Sequence, residues 1–402
     1  MSVNWLQLTV IAAALSLASP SYASVQSRML TRDAYGLAYD LRFADSLALL
    51  EEASRVDPSD PAPARAAAAV TWMEILFTQG AATFEAFVGQ ATGDVVERPA
   101  IPPHLAQRFQ THIDGAIRLA QAALAARPHD VDAQYQAGAS GGLLALYRGT
   151  VEGRTLAAFT EGRRAVALME RIRAGAPEHR EAALIPGIYR YAVSTMSWPK
   201  RMLAAAAGLG GDRVAGIRLL EKAAGDDAET TTDAALVLMI IYNREGRHDE
   251  AFRHLRRMQA RHPRNRLLRL NIAATALAAS RPELAVAEIN AALPTLSESA
   301  APAVLGERAL WFYTRGTARV ALHDHAARSD LLEAINAGPR DWVRARAHLQ
   351  LGRIALNTSQ ASTAASEFDK ALHYARRAGD STALEEAKHL RRTVRKDDAP
   401  GS

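Results

Sequence analysis

The sequence predicts an all-α protein built from short helix hairpins, on three observations. Strand signals are nearly missing: alternating Val, Ile or Thr runs are hard to find, and of the hairpin dipeptides Asn-Gly does not occur and Asp-Gly occurs once, at Asp114-Gly115. Helical periodicity fills almost the whole chain, broken by proline or glycine at intervals suited to short helices. One spacing of small, large and medium apolar residues, closed by a proline, recurs along the chain.

The clearest copy lies in "AALVLMIIYNREGRHDEAFRHLRRMQARHPRN", Ala234 to Asn265. Leu236, Met239, Ile240 and Tyr242 make one helical stripe, Gly246 turns the chain, and Ala251, Leu255 and Met258 make a second stripe that Pro263 closes. The small residue lets two helices approach, the large one fills the space between them, and the proline ends the helix. Taken in chain order, the same spacing appears at Ser46, Leu50, Ala53 and Pro58, then at Ala116, Ala120, Ala123 and Pro128. It returns at Ala165, Met169, Ile172 and Pro177, and with glycine in the small position at Gly216, Leu220 and Ala223. Weaker copies stand at Ala285, Ile289 and Ala292, and around Gly316, Leu332 and Ile335. Leu351-Gly352 opens a last unit that continues with Ala364, Phe368 and Ala371. Arg98 to His104, "RPAIPPH", reads as a loop, since prolines so dense cannot sit in a helix interior.

This register resembles the second half of a tetratricopeptide repeat (TPR), over roughly Tyr35 to Ala378. The resemblance implies a right-handed α-solenoid of TPR-like helix hairpins. In places the interval exceeds the usual length of about 34 residues, as between Pro128 and Pro177, which calls for longer helices or extended turns.

The chain has 402 residues, more than one compact core usually holds, and a repeat array grows without enlarging a single core. Leu8 to Ala18 is an apolar run of signal-peptide length, followed by Pro20 and the small-x-small triplet Ser21-Tyr22-Ala23. This predicts export by cleavage after Ala23, giving a periplasmic or secreted protein. No Lys or Arg precedes the run, so a retained anchor or a buried N-terminal helix stays open. With no cysteine there is neither a disulfide nor a lipid-bearing thiol. The expected division is a signal peptide over 1–23, a repeat array over 24–392 and a disordered tail over 393–402, which ends in "DDAPGS". The net charge of +5 comes almost wholly from arginine and, in an exported chain, gives no reason to expect nucleic acid.

The glycines of "GLGGDRVAGIRLLEKAA", Gly208 to Ala224, raise the question of a phosphate loop. They match neither Gly-x-Gly-x-x-Gly nor a P-loop ending, and the residues before them are helical rather than a strand. A turn accounts for them: Gly208 ends one helix, Gly210 and Gly211 turn the chain, Asp212 caps the next helix, and Gly216 is a small packing position. Pro186 to Ala224 also resembles a segment of the eukaryotic tetratricopeptide family that includes the yeast inclusion-body-clearance protein. Gly187, Ser194, Trp198-Pro199, Leu203, Gly208, Gly211-Asp212-Arg213 and Gly216 carry the match, and Leu209 replaces an aromatic residue. That resemblance implies a scaffold and transfers no catalytic residue.

No catalytic set emerges. His248 with His254 and His323 with His325 are spaced off a shared helix face, without the acidic neighbours a metal site needs, so neither metal nor cofactor is expected. Nine arginines between Arg244 and Arg269 read as solvated helix faces or as a basic stripe for an acidic protein or anionic lipid. Trp72, Trp311, Tyr313 and Trp342 fall in repeat helices, where they pack. The expected function is a non-enzymatic scaffold holding a protein or peptide partner in its concave groove. The alternative is an assembly factor at the bacterial cell envelope, for secretion or outer-membrane biogenesis, with peripheral envelope association. If the first helix of each hairpin lines the groove, a helix over about 233–244 offers Leu236, Ile240, Asn243 and Arg244. The last unit offers Arg346, Leu349, Arg353 and Leu356. Guanidinium groups among apolar residues suit an acidic or C-terminal peptide segment.

Overall fold

The protein is described by a computed structural model over residues 24–80, 100–196, 198, 201–202, 210–225, 230–296, 305–338 and 340–397. Among these residues there are seventeen α-helices and one 3-10 turn, and no strand. In chain order they are α1 (Val25–Tyr39), α2 (Phe43–Val56), α3 (Pro61–Thr78), α4 (Pro103–Ala126), α5 (Val131–Thr150), α6 (Thr155–Gly175), the 3-10 turn Arg180–Ala183, α7 (Leu184–Ser194) and α8 (Arg213–Ala223). There follow α9 (Thr231–Arg244), α10 (His248–Arg261), α11 (Arg266–Ala278), α12 (Pro282–Leu296), α13 (Glu307–Ala321), α14 (Ala327–Asn336), α15 (Asp341–Asn357), α16 (Ala361–Ala378) and α17 (Ser381–Asp397).

Consecutive helices pair, odd with even, into hairpins, and α17 stands alone against α16. The recurring register is the reason. Ala251 and Leu255 are fully buried, as are Ser46, Ala116, Met169, Leu220, Ala285, Ile289, Ala364 and Phe368. Across four of the hairpins, the first helix presents a glycine to the large residue of the second. A Cβ on Gly138 would come within 2.8 Å of Met169 Cε, and one on Gly187 within 2.8 Å of Leu220 Cγ. Gly316 faces Leu331 and Gly352 faces Phe368 in the same way. These four hairpins share one repeated knob-and-notch contact, close packing that tolerates little change of volume.

Gly246 closes the turn after α9 with φ +71°, a left-handed conformation suited to glycine, and Arg247 N–H reaches back to Tyr242 O at 2.8 Å. Capping is local elsewhere: Asp60, Asp130 and Asp212 each accept a backbone N–H of the first turn of α3, α5 and α8.

The glycine-rich corner is a packing device. Asp212 accepts Ala215 N–H at 2.9 Å, as a cap should. A Cβ on Gly211 would lie 2.8 Å from Ser194 Cα, and one on Gly216 3.0 Å from Gly187 O, so these glycines let α8 approach α7. Gly208, Leu209, Pro199 and Leu203 lie outside the described residues, as do residues 1–23 with the cleavage motif.

Four expectations change. In α14 the buried register is Ala327, Leu331 and Ala334; Leu332 is exposed and Ile335 only half-buried, so the sequence register was one residue late. Gly316, opposite Leu331, fixes the correct phase. Ala123 is half-buried. The loop before α4 ends earlier than "RPAIPPH" suggests, because Pro103 occupies the first turn, where its missing N–H costs nothing. Residues 393–397, placed in the tail, continue α17, and Val394 among them is buried in the core that α17 shares with α15 and α16.

The array also closes on itself. In a simple solenoid each hairpin touches only its neighbours. Here one apolar core contains Ala34, Phe43 and Phe77 from α1–α3 together with Leu270, Trp311 and Trp342 from α11, α13 and α15. Asn265 Nδ2 donates to Tyr39 O at 2.7 Å, Arg340 donates to Gln79 O at 3.1 Å, and the Tyr39 hydroxyl donates to Asp233. The first two hairpins are thereby seamed to units about two hundred residues or more later.

Candidate functional site

The curl that brings α1–α3 onto α11 encloses a cavity of about 790 Å³, within the usual range for a ligand site. Its wall is almost wholly the first helix of each of the first six hairpins: α1, α3, α5, α7, α9 and α11. These six first helices thus face the cavity. From α3 come Trp72, Met73 and Leu76; from α5, Leu143 and Leu146; from α7, Ile185 and Ile188. From α9 come Leu236, Ile240 and Arg244, three of the four groove residues expected on that helix.

Asn243, the fourth, points elsewhere. It is buried, and its amide donates to Met239 O and Thr275 Oγ1, both at 3.0 Å, while its oxygen faces His248 Nδ1 at 3.3 Å. Asn243 thus ties α9 to α11 and has no amide free for a peptide.

The second expected group does not join the cavity. Arg346 Nε pairs with Asp380 at 2.8 Å, and Arg353 pairs with Glu386. Leu349 is buried in a core with Phe368, Ala387 and Val394, against which Leu356 packs. The helix α17 covers the inner face of α15, so these positions serve as the array's C-terminal cap. The signal that could have shown this was the amphipathic stretch Ser381–Asp397, whose Ala387 and Val394 repeat at helical spacing.

The polar groups in the cavity wall are mostly engaged with each other. Arg65 is buried and donates from Nε to Gln136 Oε1 at 2.8 Å. Asp233 accepts from Tyr39, and Glu181 holds His179 at 2.9 Å. Asn265 and Asn271 donate to Tyr39 O and Leu267 O. Arg244 differs: it is exposed at the lip and makes no hydrogen bond or ion pair to a described residue. The chamber therefore offers an apolar interior and one cation at its edge. His262 also lines it, 5 % exposed, its ring 5.2 Å from that of Tyr39. Burial holds the His262 imidazole below its ordinary pKa, opposed by Asp40 and assisted by Arg261.

Trp72 was expected only to pack. It does so, with Nε1 donating to Thr150 Oγ1 at 3.1 Å, and it also forms cavity wall. Trp311 and Trp342 are core residues. The arginine-rich segment is divided rather than continuous. Arg266 is buried on Glu307, Arg256 and Arg269 share Glu288, Arg247 meets Glu250, and Arg253, Arg257, Arg261 and Arg264 are exposed. Among the described residues no three His, Asp or Glu side chains are grouped to hold a metal, and no helix is long and apolar enough to cross a membrane.

Inward-facing first helices, glycines opposite large residues and a proline after the second helix occur together in this chain. This is the architecture of a tetratricopeptide-like repeat array. No family model matches the chain, and no curated protein matches it. Solved structures resemble it. The yeast Tom70 structure aligns at 14 % identity, over 98 % of this chain and 86 % of that one, with a TM-score of 0.37. A tetratricopeptide repeat protein from Parabacteroides merdae aligns at 15 % identity over 92 % and 100 %, TM-score 0.29. The P58(IPK) TPR domain aligns at 14 % identity over 93 % and 99 %, TM-score 0.26. Similarity of that size carries no argument about function; the repeat assignment rests on the hairpin packing of this TPR-like array.

Proposed function

We propose that this TPR-like array is an exported, non-enzymatic scaffold that takes an apolar segment of a partner protein, with an acidic group beside it, into its central cavity. One observation carries the reading. Six inner helices converge on one apolar chamber, and Arg244, the charged lining residue without a described partner, stands at its lip. Apolar side chains would gain by leaving water, and a carboxylate would find a guanidinium not already spent on an internal pair. Arg65, Asp233 and Glu181 are committed to the wall itself. The resemblance of Pro186 to Ala224 to the inclusion-body-clearance family supports a scaffold role as well. Export by cleavage after Ala23, to the periplasm or outside the cell, is part of the same reading and rests on the N-terminal motif.

The experiment is selection of peptides from a display library on the purified chain, followed by titration of the best one. Its affinity should fall as salt rises and drop severalfold in Arg244→Glu. Unchanged binding by folded Arg244→Glu would remove the acidic contact from the account. The second reading, an assembly factor at the cell envelope, predicts instead a stoichiometric complex in envelope extracts.

A further inference from the structure

We propose that cleavage after Ala23 creates a structural ion pair: the α-ammonium released at Ser24 binds the carboxylate of Asp57 and fastens the first hairpin. The inference rests on the processing reading above and on geometry independent of the cavity. Ser24 is the N-cap of α1, and its side chain accepts Ser27 N–H at 3.0 Å. Its backbone nitrogen, half-buried, donates to Asp57 Oδ2 at 3.1 Å, across 33 residues of sequence. Asp57 lies in the turn between α2 and α3. Its other oxygen, Oδ1, is occupied by Ser59 N–H at 3.1 Å and by the Ser59 hydroxyl at 2.8 Å. Oδ2 thus faces the start of the mature chain. One turn later, Ser27 Oγ donates to buried Asp60 Oδ2 at 2.8 Å. The tertiary bonding of α1 to the α2–α3 turn begins at Ser24.

In the precursor the Ser24 nitrogen is a neutral amide with one hydrogen. Hydrolysis by the exporting cell's endopeptidase breaks the Ala23–Ser24 bond with one water. The carboxylate leaves with the leader, and the nitrogen, taking up protons, becomes an ammonium with three donors and a positive charge. At an N-cap that charge meets the positive end of the helix dipole, which alone is unfavourable. The first turn of α1 has no acidic residue to offset it, and Arg28 adds a further exposed cation. Asp57, with Asp60 behind it, supplies the opposing charge from the neighbouring turn. Asp57 is suited to remain ionised: burial would raise its pKa, but hydrogen bonds from Ser59, Ser24 and Asp60 outweigh burial and lower it. Burial raises the pKa of Asp60, against the hydrogen bonds from Ala62 and Ser27, so Asp57 is the carboxylate that carries the pair.

An opposed carboxylate raises the pKa of an α-amino group above its usual 7.7–8.0 and protects it from acylation at neutral pH. The sign follows: this stabilisation is present below the unfolded pKa and is lost as pH rises through the folded one. The test uses the full mature chain made to start at Ser24, the same chain with Ala23 retained, and each with Asp57→Asn. Acylation of the N-terminal amine at pH 7 is followed by mass spectrometry. A shift of one pKa unit makes the Ser24 amine roughly tenfold slower to react than in Asp57→Asn. Retaining Ala23 moves the charge by one residue and should abolish the dependence on Asp57. Equal rates in the Ser24 chain with and without Asp57, both folded, would overturn the proposal. Exported protein whose intact mass shows another N-terminus would overturn the processing reading, and the pair with it, by a separate measurement.

Discussion

Gly352 on α15 stands directly against the ring of Phe368 on α16, so close that a Cβ on Gly352 would come within 2.9 Å of Cζ. Both residues are buried, and the ring fills the groove between the two helices. Gly352→Val should therefore destabilise by about 1–3 kcal/mol, because the added atoms must push a fully buried aromatic aside. Pairing it with Phe368→Leu should recover part of the loss. Chemical denaturation of the single and double variants checks this, and simple additivity would mean the two do not touch.

The buried ion pair at the seam is a second place to look. Arg266 Nε reaches Glu307 Oε1 at 2.6 Å and Nη2 reaches Oε2 at 2.7 Å, with both side chains under a tenth exposed. Trp311 Nε1 also donates to Glu307 at 3.3 Å. Arg266→Met leaves a buried carboxylate uncompensated and should cost about 3–5 kcal/mol. Arg266→Met with Glu307→Gln should cost much less. Thermal unfolding of the two variants distinguishes these outcomes.

Reversing the charges on α15 tests what that helix is for. Arg346→Glu with Arg353→Glu would set like charges against Asp380 and Glu386. The expected result is early hydrogen exchange in α17, with α9 protected as in the wild type. Faster exchange in α9 instead would mean that α15 supports the cavity.

Acid should weaken the fold. Burial lowers the pKa of His262, of His254 with help from Arg257 and Arg253, and of His112 with help from Arg108. A histidine whose folded pKa is depressed binds its proton more readily unfolded. Stability is then complete above the unfolded value of about 6.5 and falls as pH drops below it. The melting temperature should decline from pH 7 to pH 5, and His262→Gln should flatten the decline. A flat profile in the wild type would contradict the burial of these rings.

The fold was legible because its determinant is local and repeated. Ala251, Leu255 and Met258 announce a hairpin within a few residues, and each copy confirms the next. The register failed at Leu332, where Leu331-Leu332 offers two adjacent large residues and only the partner helix, through Gly316, decides between them. The cavity was half legible. Leu236, Ile240 and Arg244 follow from helix phase, but closure of the array depends on Tyr39 meeting Asp233 and Asn265, contacts between residues about two hundred apart with no pattern in sequence. Arg346, Leu349 and Arg353 share that phase and were misplaced for the same reason: what covers a helix face is decided by the next element, here α17.

If the partner segment sits in the chamber walled by the six inner helices, filling that chamber should displace it. The measurement is titration of a display-selected peptide into the wild type and into Ile240→Trp, whose larger side chain projects from α9 into the space. Ile240→Trp should stay helical and folded and lose binding by at least tenfold. Undiminished binding by the folded variant would contradict it and place the partner on another face.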